Sequence, residues 1–447
     1  MKYLQSQLSH RHHRLVRALE FGPDFLITLI LRGGGVGTNY LISLALARLL
    51  LADEAGIYFL AFSIVSVVGV GTKVGLENVI LRFTAVHVEI NSWGTVRSLF
   101  QRSMVLVVSF STIATIFFFF LSSWIANTLF LSPLLSTPLK ILSLSLVPSG
   151  LTMLYYQQLK GIYHIKAATF LEAFSLPIIN FSIVLLWNQS LDIEKFAWAY
   201  VVASFFTLIL GYFLWQRAFP NAKSITRDSF AWRSLLSASQ PLLIVAFMFI
   251  IIDSAETILL GLLEDSSSVG IYYVANRIAK LISVLLVVIN TILAPRFAAL
   301  YAANKKTSLE KLMQNSIKYS LVLIAPLLFA FLFVPHWILN IFGEEFLEGS
   351  SILRILTIGQ FYNVATGSVG LLLMMCGFEK VMQKSTVLFA LCSIALNVIF
   401  ISAWGYVGAA VASVSTMFLL NTSLLILVYK KLKIRVLPIP SIRIAKV

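Results

Sequence analysis

The sequence predicts an all-α protein that crosses a lipid bilayer many times. Apolar residues make up 59% of the 447 residues and charged residues only 12%, and the mean hydropathy is +0.90. A soluble chain of this length would need far more charge to cover its surface. The apolar residues also gather into long stretches, and Lys and Arg gather between alternate stretches. These three observations indicate a polytopic membrane protein.

About twelve apolar stretches occur along the chain, each close to the roughly 20 residues that a helix needs to span a hydrocarbon core of about 30 Å. They lie near 25–50, 56–80, 100–122, 139–159, 167–187, 196–216, 236–262, 270–294, 318–341, 352–376, 385–403 and 408–429. The first follows a basic segment but is too long for a signal peptide and lacks a small-residue cleavage pattern. It is therefore predicted to be the first spanning helix.

Basic and acidic residues lie on opposite predicted sides of the membrane. The outer loops are acidic, as at Asp53-Glu54, Glu264-Asp265 and Glu344-Glu345. Most of the 34 Lys and Arg fall in the two tails and in inner loops near 82–102, 160–166, 217–233, 296–318 and 380–384. An even number of helices with both termini in the cytoplasm satisfies this positive-inside pattern. The net charge of +15 therefore reflects topology and attraction to anionic lipids rather than a nucleic-acid partner.

Several motifs recur at nearly constant spacing. Gly56-Ile57-Tyr58 and Gly270-Ile271-Tyr272 each follow an acidic loop and lie 214 residues apart, as do Arg82-Phe83 and Arg296-Phe297. Leu159-Lys160-Gly161 aligns with Met375-Cys376-Gly377 at an offset of 216. Each of the latter motifs precedes a helix with a matching asparagine, Asn180 or Asn397. The chain is therefore predicted to contain two copies of a six-helix unit.

The repeat predicts an N-terminal lobe at 25–216 and a C-terminal lobe at 236–430. A basic segment at 1–24, an inter-lobe loop at 217–235 and a basic tail at 431–447 are expected in the cytoplasm. Because each lobe has an even number of helices, the copies share one orientation and form a parallel repeat. In such transporters the substrate binds between the halves, which rock to give alternating access. The sequence thus favours a transporter over an enzyme.

Charges predicted inside the membrane concentrate on helices one, two, seven and eight. An ionisable side chain costs several kcal/mol there unless it faces the bundle interior or a wet cavity. A further intramembrane charge, Glu172, lies in the fifth helix. The candidate substrate-binding residues are Arg32, Lys73, Arg277 and Lys280, and the candidate charge-balancing or ion-coupling residues are Glu77, Asp253 and Glu256.

The cations predict an anionic substrate such as a phosphate or pyrophosphate, which arginine binds in a bidentate fashion. The carboxylates would balance them or bind a driving proton or sodium ion. Internal salt bridges are the alternative, because residues four apart such as Lys73 and Glu77 share a helix face. Across the 214-residue offset Asp253 aligns with Asn39. Unequal charges on a repeated scaffold favour a site over a folding role.

Other constellations predict no chemistry. Arg32 precedes Gly33-Gly34-Gly35-Val36-Gly37, but no preceding strand or Gly-Lys-Ser/Thr accompanies it, so a pliable hinge is favoured over a phosphate loop. Cys376 and Cys392 suggest packed side chains rather than a disulfide. The histidines at 10, 12 and 13 form a short basic cluster. No catalytic residues, metal ligands or cofactor sites are predicted.

Four segments in order along the chain are distinctive. They are Leu44–Leu50 with Gly56-Ile57-Tyr58; Asp253 with Leu259-Leu260-Gly261 and Val269–Arg277; Phe342-Gly343-Glu344-Glu345-Phe346; and Gly405-Tyr406-Val407-Gly408-Ala409-Ala410. Together they resemble the polysaccharide biosynthesis, or O-antigen, flippases of the multidrug/oligosaccharidyl-lipid/polysaccharide (MOP) exporter superfamily.

The resemblance implies a twelve-helix, MATE-like fold in the bacterial inner membrane. It also implies transfer of an undecaprenyl-pyrophosphate-linked glycan to the outer leaflet, with glycan polymerase and chain-length proteins as potential partners. Lipid II flippases usually have fourteen helices, which disfavours that assignment. The alternatives are a multidrug or toxin extruder of the same superfamily, which would rely on acidic residues, and a membrane-embedded glycan polymerase or ligase. The latter usually carries a large outer loop, which this sequence lacks.

Overall fold

The computed structural model describes residues 23–187, 192–219 and 230–436. Nearly all of the predicted basic N-terminal segment, the centre of the inter-lobe loop and most of the basic tail lie outside these ranges, as do the three clustered histidines. Within them every regular element is a helix, so the predicted all-α class is confirmed.

Within the described residues, the predicted N-terminal lobe comprises nine α-helices and their connecting π- and 3₁₀-turns. They are α1 (Pro23–Leu49), α2 (Ala52–Thr72), α3 (Leu76–Glu89), α4 (Trp93–Trp124), a π-turn (Ile125–Leu129), a 3₁₀-turn (Pro133–Leu135), α5 (Ser136–Ser143), α6 (Leu146–Gly161), α7 (Ile165–Thr169), a π-turn (Phe170–Ser175), α8 (Leu176–Leu186) and α9 (Ile193–Ala218). Several predicted spans are thus built from two consecutive helices separated by a short break.

The C-terminal lobe comprises seven further α-helices. They are α10 (Trp232–Leu263), α11 (Ser266–Ala302), α12 (Lys306–Phe333), α13 (Pro335–Asn340), a 3₁₀-turn (Glu344–Gly349), α14 (Ser350–Thr366), α15 (Val369–Met375) and α16 (Glu379–Leu432). At 54 residues, α16 would be about 80 Å long if straight. Non-helical dihedral angles at Trp404 and Gly405 break it into two arms, at the junction between the two last predicted spans.

Nine segments of the described chain are long and apolar enough to cross a membrane. The last of them, Lys380–Leu432, contains the break at Trp404 and Gly405. Helices α1 and α11, at 27 and 37 residues, also have the length of a spanning helix. The multi-pass architecture is therefore confirmed, and a count of twelve spans stays a prediction.

The buried apolar residues of the described chain show how the lobes are arranged. One cluster draws on both lobes and includes Leu46, Phe59 and Tyr272. Two further clusters are separate: one lies in the N-terminal lobe around Leu99 and Leu159, and one surrounds Met313, Leu372 and Val428 in the C-terminal lobe. The shared core lies toward the loops that carry Asp53 and Asp265, here called the acidic end. The separate cores lie toward the opposite, basic end, so the lobes diverge there.

Two glycines from the repeated motif bring the lobes into backbone contact at the acidic end. A Cβ atom at Gly56 would lie 1.8 Å from the carbonyl oxygen of Ser266, and one at Gly270 would lie 2.3 Å from the carbonyl oxygen of Ala52. Only a residue without a side chain permits this approach. Helices α2 and α11 therefore pack more closely than any larger residue at these positions would allow.

Hydrogen bonds reinforce the contact at the acidic end. Arg48 at the end of α1 donates from Nε to the Ile341 carbonyl (2.5 Å) and from Nη2 to the Asn340 carbonyl (3.0 Å). The first N–H of α2, at Ala52, donates to Glu345 Oε2 at 2.6 Å. A carboxylate of one lobe thus caps a helix of the other, where the helix dipole favours negative charge.

Helix α10 straddles the two lobes. Phe230 and Leu235 are buried in the basic-end core of the N-terminal lobe, where the Phe230 ring lies 5.0 Å from that of Phe83. Leu260, further along the same helix, belongs to the core that both lobes share. Pro241 lies between the two regions. The start of α10 therefore packs with the helices that precede the inter-lobe loop.

Candidate functional site

Two adjoining cavities lie where the lobes diverge. The larger has a volume of about 1320 Å³ and reaches the turn at Tyr163 and His164 at the basic end. The smaller, of about 310 Å³, lies between α1, α2, α10 and α11. Both are lined by Val36, Asn39 and Phe62, so they form one continuous hollow. The larger volume exceeds that of an ordinary drug-sized pocket, which spans roughly 300–1,000 Å³.

Positive side chains outnumber acidic ones on the walls of these cavities. The cationic lining residues are Arg32, Lys73, Lys160, Lys166, Arg277 and Lys280. Among the described lining residues, the acids are Glu172 in the larger cavity and Asp253 in the smaller one. An excess of fixed positive charge in a concave, low-dielectric site concentrates anions there.

Glu172 joins two cations on the wall of the larger cavity. Its Oε2 lies 2.9 Å from Arg32 Nη2 and its Oε1 lies 2.7 Å from Lys160 Nζ. The Lys160 ammonium also lies 5.1 Å from the centre of the Tyr156 ring, within the range of a cation–π contact. Three elements therefore meet at one carboxylate: α1, the end of α6 and the π-turn Phe170–Ser175.

The glycine run after Arg32 explains how close these elements come. A Cβ atom at Gly35 would lie 1.8 Å from the Ala173 carbonyl oxygen, and one at Gly34 would lie 2.9 Å from the Phe174 ring. The run thus lets α1 press against the π-turn that carries Glu172. Helix α1 is unbroken from Pro23 to Leu49, and Gly34 and Gly35 make a packing contact. The hinge favoured from the sequence stays a prediction.

Lys73 and Glu77 flank the break between α2 and α3. The Lys73 ammonium lies 3.0 Å from Glu77 Oε1, which is the internal salt bridge that the sequence offered as the alternative to substrate binding. Gly75 adopts a left-handed conformation, with φ of 68°, which favours glycine. A Cβ atom there would lie 2.4 Å from the Ser239 carbonyl oxygen of α10. The break is therefore held against the first half of α10.

Arg277 has a different environment from the other predicted cations. Its guanidinium lies 5.6 Å from the centre of the Tyr40 ring and 5.9 Å from that of Tyr273. Nη1 donates to the Tyr273 hydroxyl at 3.0 Å and Nη2 donates to the Asn39 carbonyl at 3.3 Å. The Tyr40 hydroxyl donates to the Arg277 carbonyl. Within residues 23–187, 192–219 and 230–436, no carboxylate forms a salt bridge with Arg277.

The remaining predicted site residues lie together beside Arg277. The Lys280 ammonium on α11 lies 2.5 Å from Asp253 Oδ1 on α10, and 63% of the Asp253 side chain is exposed. Glu256 is buried, with 4% of its surface exposed, and is not among the lining residues of either cavity. The charges of Lys280 and Asp253 act on it, and the Ser413 hydroxyl is its hydrogen-bonding neighbour.

The structure therefore divides the seven predicted site residues into groups. Arg277, Lys280 and Asp253 line the small cavity, and Glu256 is buried and lines neither cavity. Arg32 and Lys73 line the large cavity, and Glu77, which lines neither cavity, is paired with Lys73. Sequence reasoning missed the aromatic pair around Arg277 and left Lys160 in an inner loop. The partnership between Arg32 and Glu172, which are 140 residues apart, carries no local spacing signal from which it could be predicted.

A family model described as "Polysaccharide biosynthesis protein" matches residues 45–351. Two curated archaeal proteins are similar. The "Probable low-salt glycan biosynthesis flippase Agl15" of Haloferax volcanii is 27% identical over 246 residues, covering 54% of this chain and 50% of that protein. The "Uncharacterized membrane protein MJ1068" of Methanocaldococcus jannaschii is 23% identical over 226 residues, covering 48% and 43%. The chain thus spans about half the length of the curated relatives it matches.

Several solved transporters share the fold at low sequence identity. An inward-facing multidrug resistance MATE transporter of the MOP superfamily matches with a TM-score of 0.72 and 12% identity, covering 92% of this chain and 98% of that one. A MOP superfamily transporter from Pyrococcus furiosus matches with a TM-score of 0.68 and 15% identity, covering 93% of this chain and 97% of that one. The lipid II flippase MurJ matches with a TM-score of 0.68 and 16% identity, covering 90% of this chain and 86% of that one.

These matches agree with the predicted family and fold. The model match covers well over half of the chain, and the likeness in fold extends over nearly all of it. The chain therefore belongs to the polysaccharide biosynthesis protein family and has the MATE-like fold of the MOP superfamily.

Proposed function

We propose that this protein is a flippase for a lipid-linked glycan. Its substrate is an undecaprenyl-pyrophosphate-linked oligosaccharide, such as an O-antigen repeat unit of lipopolysaccharide. The protein moves this lipid from the inner to the outer leaflet of a bacterial inner membrane, with both termini in the cytoplasm. A glycan polymerase and chain-length proteins act on the product.

The charge of the cavities is the observation that carries this proposal. Six cations line them, against the two carboxylates Glu172 and Asp253 among the described residues. A diphosphate headgroup carries the opposite charge and offers several oxygen acceptors to arginine and lysine. A multidrug extruder for cationic compounds shares the fold but would need a predominantly acidic wall.

Arg277 is the cation best placed to receive the diphosphate. Its aromatic neighbours hold the guanidinium in place, and no described carboxylate neutralises it. A planar guanidinium can bind two phosphate oxygens through parallel hydrogen bonds. Diphosphate binding therefore requires no salt bridge to break at this position, in contrast to Arg32 and Lys280.

The arrangement of the lobes suggests the order of events. The headgroup enters the hollow from the basic end while the polyprenyl tail stays in the bilayer. The contact between α2 and α11 then separates as the lobes rock, which opens the acidic end. Asp253 and Glu256, beside Lys280, are the proposed groups that take up a coupling proton or sodium ion.

Deletion of the gene tests the proposal in the source organism. We expect loss of the surface polysaccharide and accumulation of its lipid-linked repeat units. Wild-type protein should reverse both changes, whereas Arg277→Ala should reverse neither of them despite normal membrane insertion. The matched control is Arg97→Ala, because Arg97 is an exposed arginine of α4 that lines neither cavity. Normal glycan in the deletion strain would contradict the proposal.

A further inference from the structure

The carboxylate of Glu172 is placed as a bound anion would be. Each of its oxygens accepts from a different cation, at 2.9 Å from Arg32 and 2.7 Å from Lys160. The two cations come from different helices, and all three side chains are partly exposed, by 20% for Lys160, 24% for Glu172 and 36% for Arg32. The cluster therefore forms an accessible wall of the large cavity rather than part of the sealed core.

A phosphate group would satisfy the same two donors. Phosphate and carboxylate oxygens both accept charge-assisted hydrogen bonds from guanidinium and ammonium groups, and phosphate offers more acceptors and more charge. Without an anion between them, two cations held this close would repel each other in a medium of low dielectric constant. Glu172 removes that repulsion while the cavity is empty.

We propose that Glu172 is an internal substitute for the substrate diphosphate, and that Arg32 and Lys160 form a second diphosphate-binding position beside Arg277. This inference rests on the proposed function. When the headgroup enters, its phosphate oxygens displace the carboxylate from Lys160, from Arg32 or from both. When the headgroup leaves, the carboxylate returns to them. Glu172 therefore weakens diphosphate binding and speeds its release, and Lys160 contacts substrate directly.

Packing against α1 holds the backbone around Glu172 in place. The residue lies within the π-turn Phe170–Ser175, where the wider helical repeat displaces side chains from their regular α-helical register. The Ala173 carbonyl is pressed against Gly35, so the π-turn is held against α1. Displacement of the carboxylate then requires a change of side-chain rotamer without movement of the helix backbone.

Opposite effects of two substitutions distinguish this role from a purely structural salt bridge. Full-length protein in nanodiscs of zwitterionic lipid would be titrated with geranylgeranyl diphosphate as the probe, and with geranylgeraniol as the phosphate-free control. We expect Glu172→Gln to lower the Kd for the diphosphate about tenfold, because a neutral amide competes poorly for the cations. We expect Lys160→Gln to raise it about tenfold, the effect of one charge-assisted hydrogen bond.

Each outcome of the titration decides the question. A Kd that rises or stays unchanged in Glu172→Gln contradicts the proposal that Glu172 takes the place of the diphosphate. A rise of the Kd in both variants indicates a salt bridge with a purely structural role. The double variant should bind more tightly than Lys160→Gln alone, because Glu172 also competes for Arg32. If neither wild type nor Glu172→Gln binds the diphosphate, the proposed function fails as well. If the wild-type protein binds the diphosphate and Glu172→Gln does not bind it more tightly, only this inference fails. Binding of geranylgeraniol with equal affinity also contradicts recognition of the phosphates.

Discussion

At the residue scale, Arg277 is distinguished by what surrounds it. Two tyrosine rings and two hydrogen bonds hold its guanidinium, whereas Arg32, Lys73 and Lys280 each have a carboxylate partner. A paired cation must give up its partner before it binds a new anion, which offsets part of the energy gained. An unpaired cation held by aromatic rings gains the full interaction.

We expect Arg277→Lys to bind the diphosphate more weakly than wild type, by about 1–2 kcal/mol or about tenfold in Kd. Lysine keeps the charge but loses the planar fork that stacks on tyrosine and binds two oxygens at once. Arg277→Ala should lose about 1.5–3 kcal/mol, the range for hydrogen bonds to charged groups. Titration in nanodiscs measures both, and equal affinity for all three proteins would remove Arg277 from the binding site.

Tyr273 should act through Arg277. Tyr273→Phe removes the acceptor of the Arg277 Nη1 hydrogen bond but keeps the ring, which stacks on Phe59 at a centroid distance of 4.0 Å. We expect a loss of about 1 kcal/mol in diphosphate binding, with little change in thermal stability. Tyr273→Ala should lower both affinity and stability. If Tyr273→Phe binds as weakly as Arg277→Ala, the hydroxyl contacts substrate itself.

Several charged residues that line the cavities could be predicted from the sequence, because charges are rare in apolar helices. Arg32, Arg277 and Asp253 are conspicuous for that reason, and the structure places all three on cavity walls. Their partners could not be predicted. Tyr40 and Tyr273 are two of many aromatic residues in spanning helices, and Lys160 resembles any other basic residue at the inner end of a helix. Only packing in three dimensions selects them.

At the element scale, the contact between α2 and α11 depends on the absence of side chains. Gly56→Ala should force the two backbones apart, because its Cβ would lie 1.8 Å from the Ser266 carbonyl oxygen. We expect destabilisation by about 1–3 kcal/mol, the usual cost of overpacking, seen as a lower Tm of the purified protein. The control is Gly37→Ala, since a Cβ at Gly37 meets nothing within 4 Å. Equal Tm values for the two variants would contradict the tight contact.

The start of α10 should anchor this helix to the N-terminal lobe. Phe230 is buried against Phe83 and its backbone N–H donates to the Ser98 hydroxyl at 3.1 Å. Phe230→Ala should therefore cost about 3–5 kcal/mol. Phe249→Ala removes a ring of α10 that is 46% exposed, and it should change stability by less than about 1 kcal/mol. Thermal unfolding of both variants measures the difference, and similar shifts would show that the anchor contributes little.

Helix positions could be predicted from hydropathy, whereas breaks within helices could not. The stretch predicted as one span at 56–80 contains the break at Lys73–Gly75. The π-turn that carries Glu172 lies likewise inside one apolar stretch. Local sequence specifies that these segments are helical, and contacts with other helices, such as Gly75 against Ser239, determine where they bend.

At the scale of the whole molecule, the lobes share one core at the acidic end and separate into two cores at the basic end. The internal repeat predicts two like-oriented lobes, and the repeated glycines Gly56 and Gly270 lie at a close backbone contact between α2 and α11. The end at which the hollow opens could not be predicted, because it depends on whether the lobes pack together more stably at the acidic end or at the basic end. The charge asymmetry between loops predicts only which end faces the cytoplasm.

The central proposal is that the cationic hollow carries a lipid diphosphate across the bilayer. Proteoliposomes that contain a fluorescent polyprenyl-diphosphate glycan test it directly, because dithionite quenches only the outer leaflet. Wild-type protein should raise the quenched fraction from about half to nearly all, and Arg277→Ala should leave it at about half. A quenched fraction that stays at about half with correctly folded wild-type protein would contradict the claim.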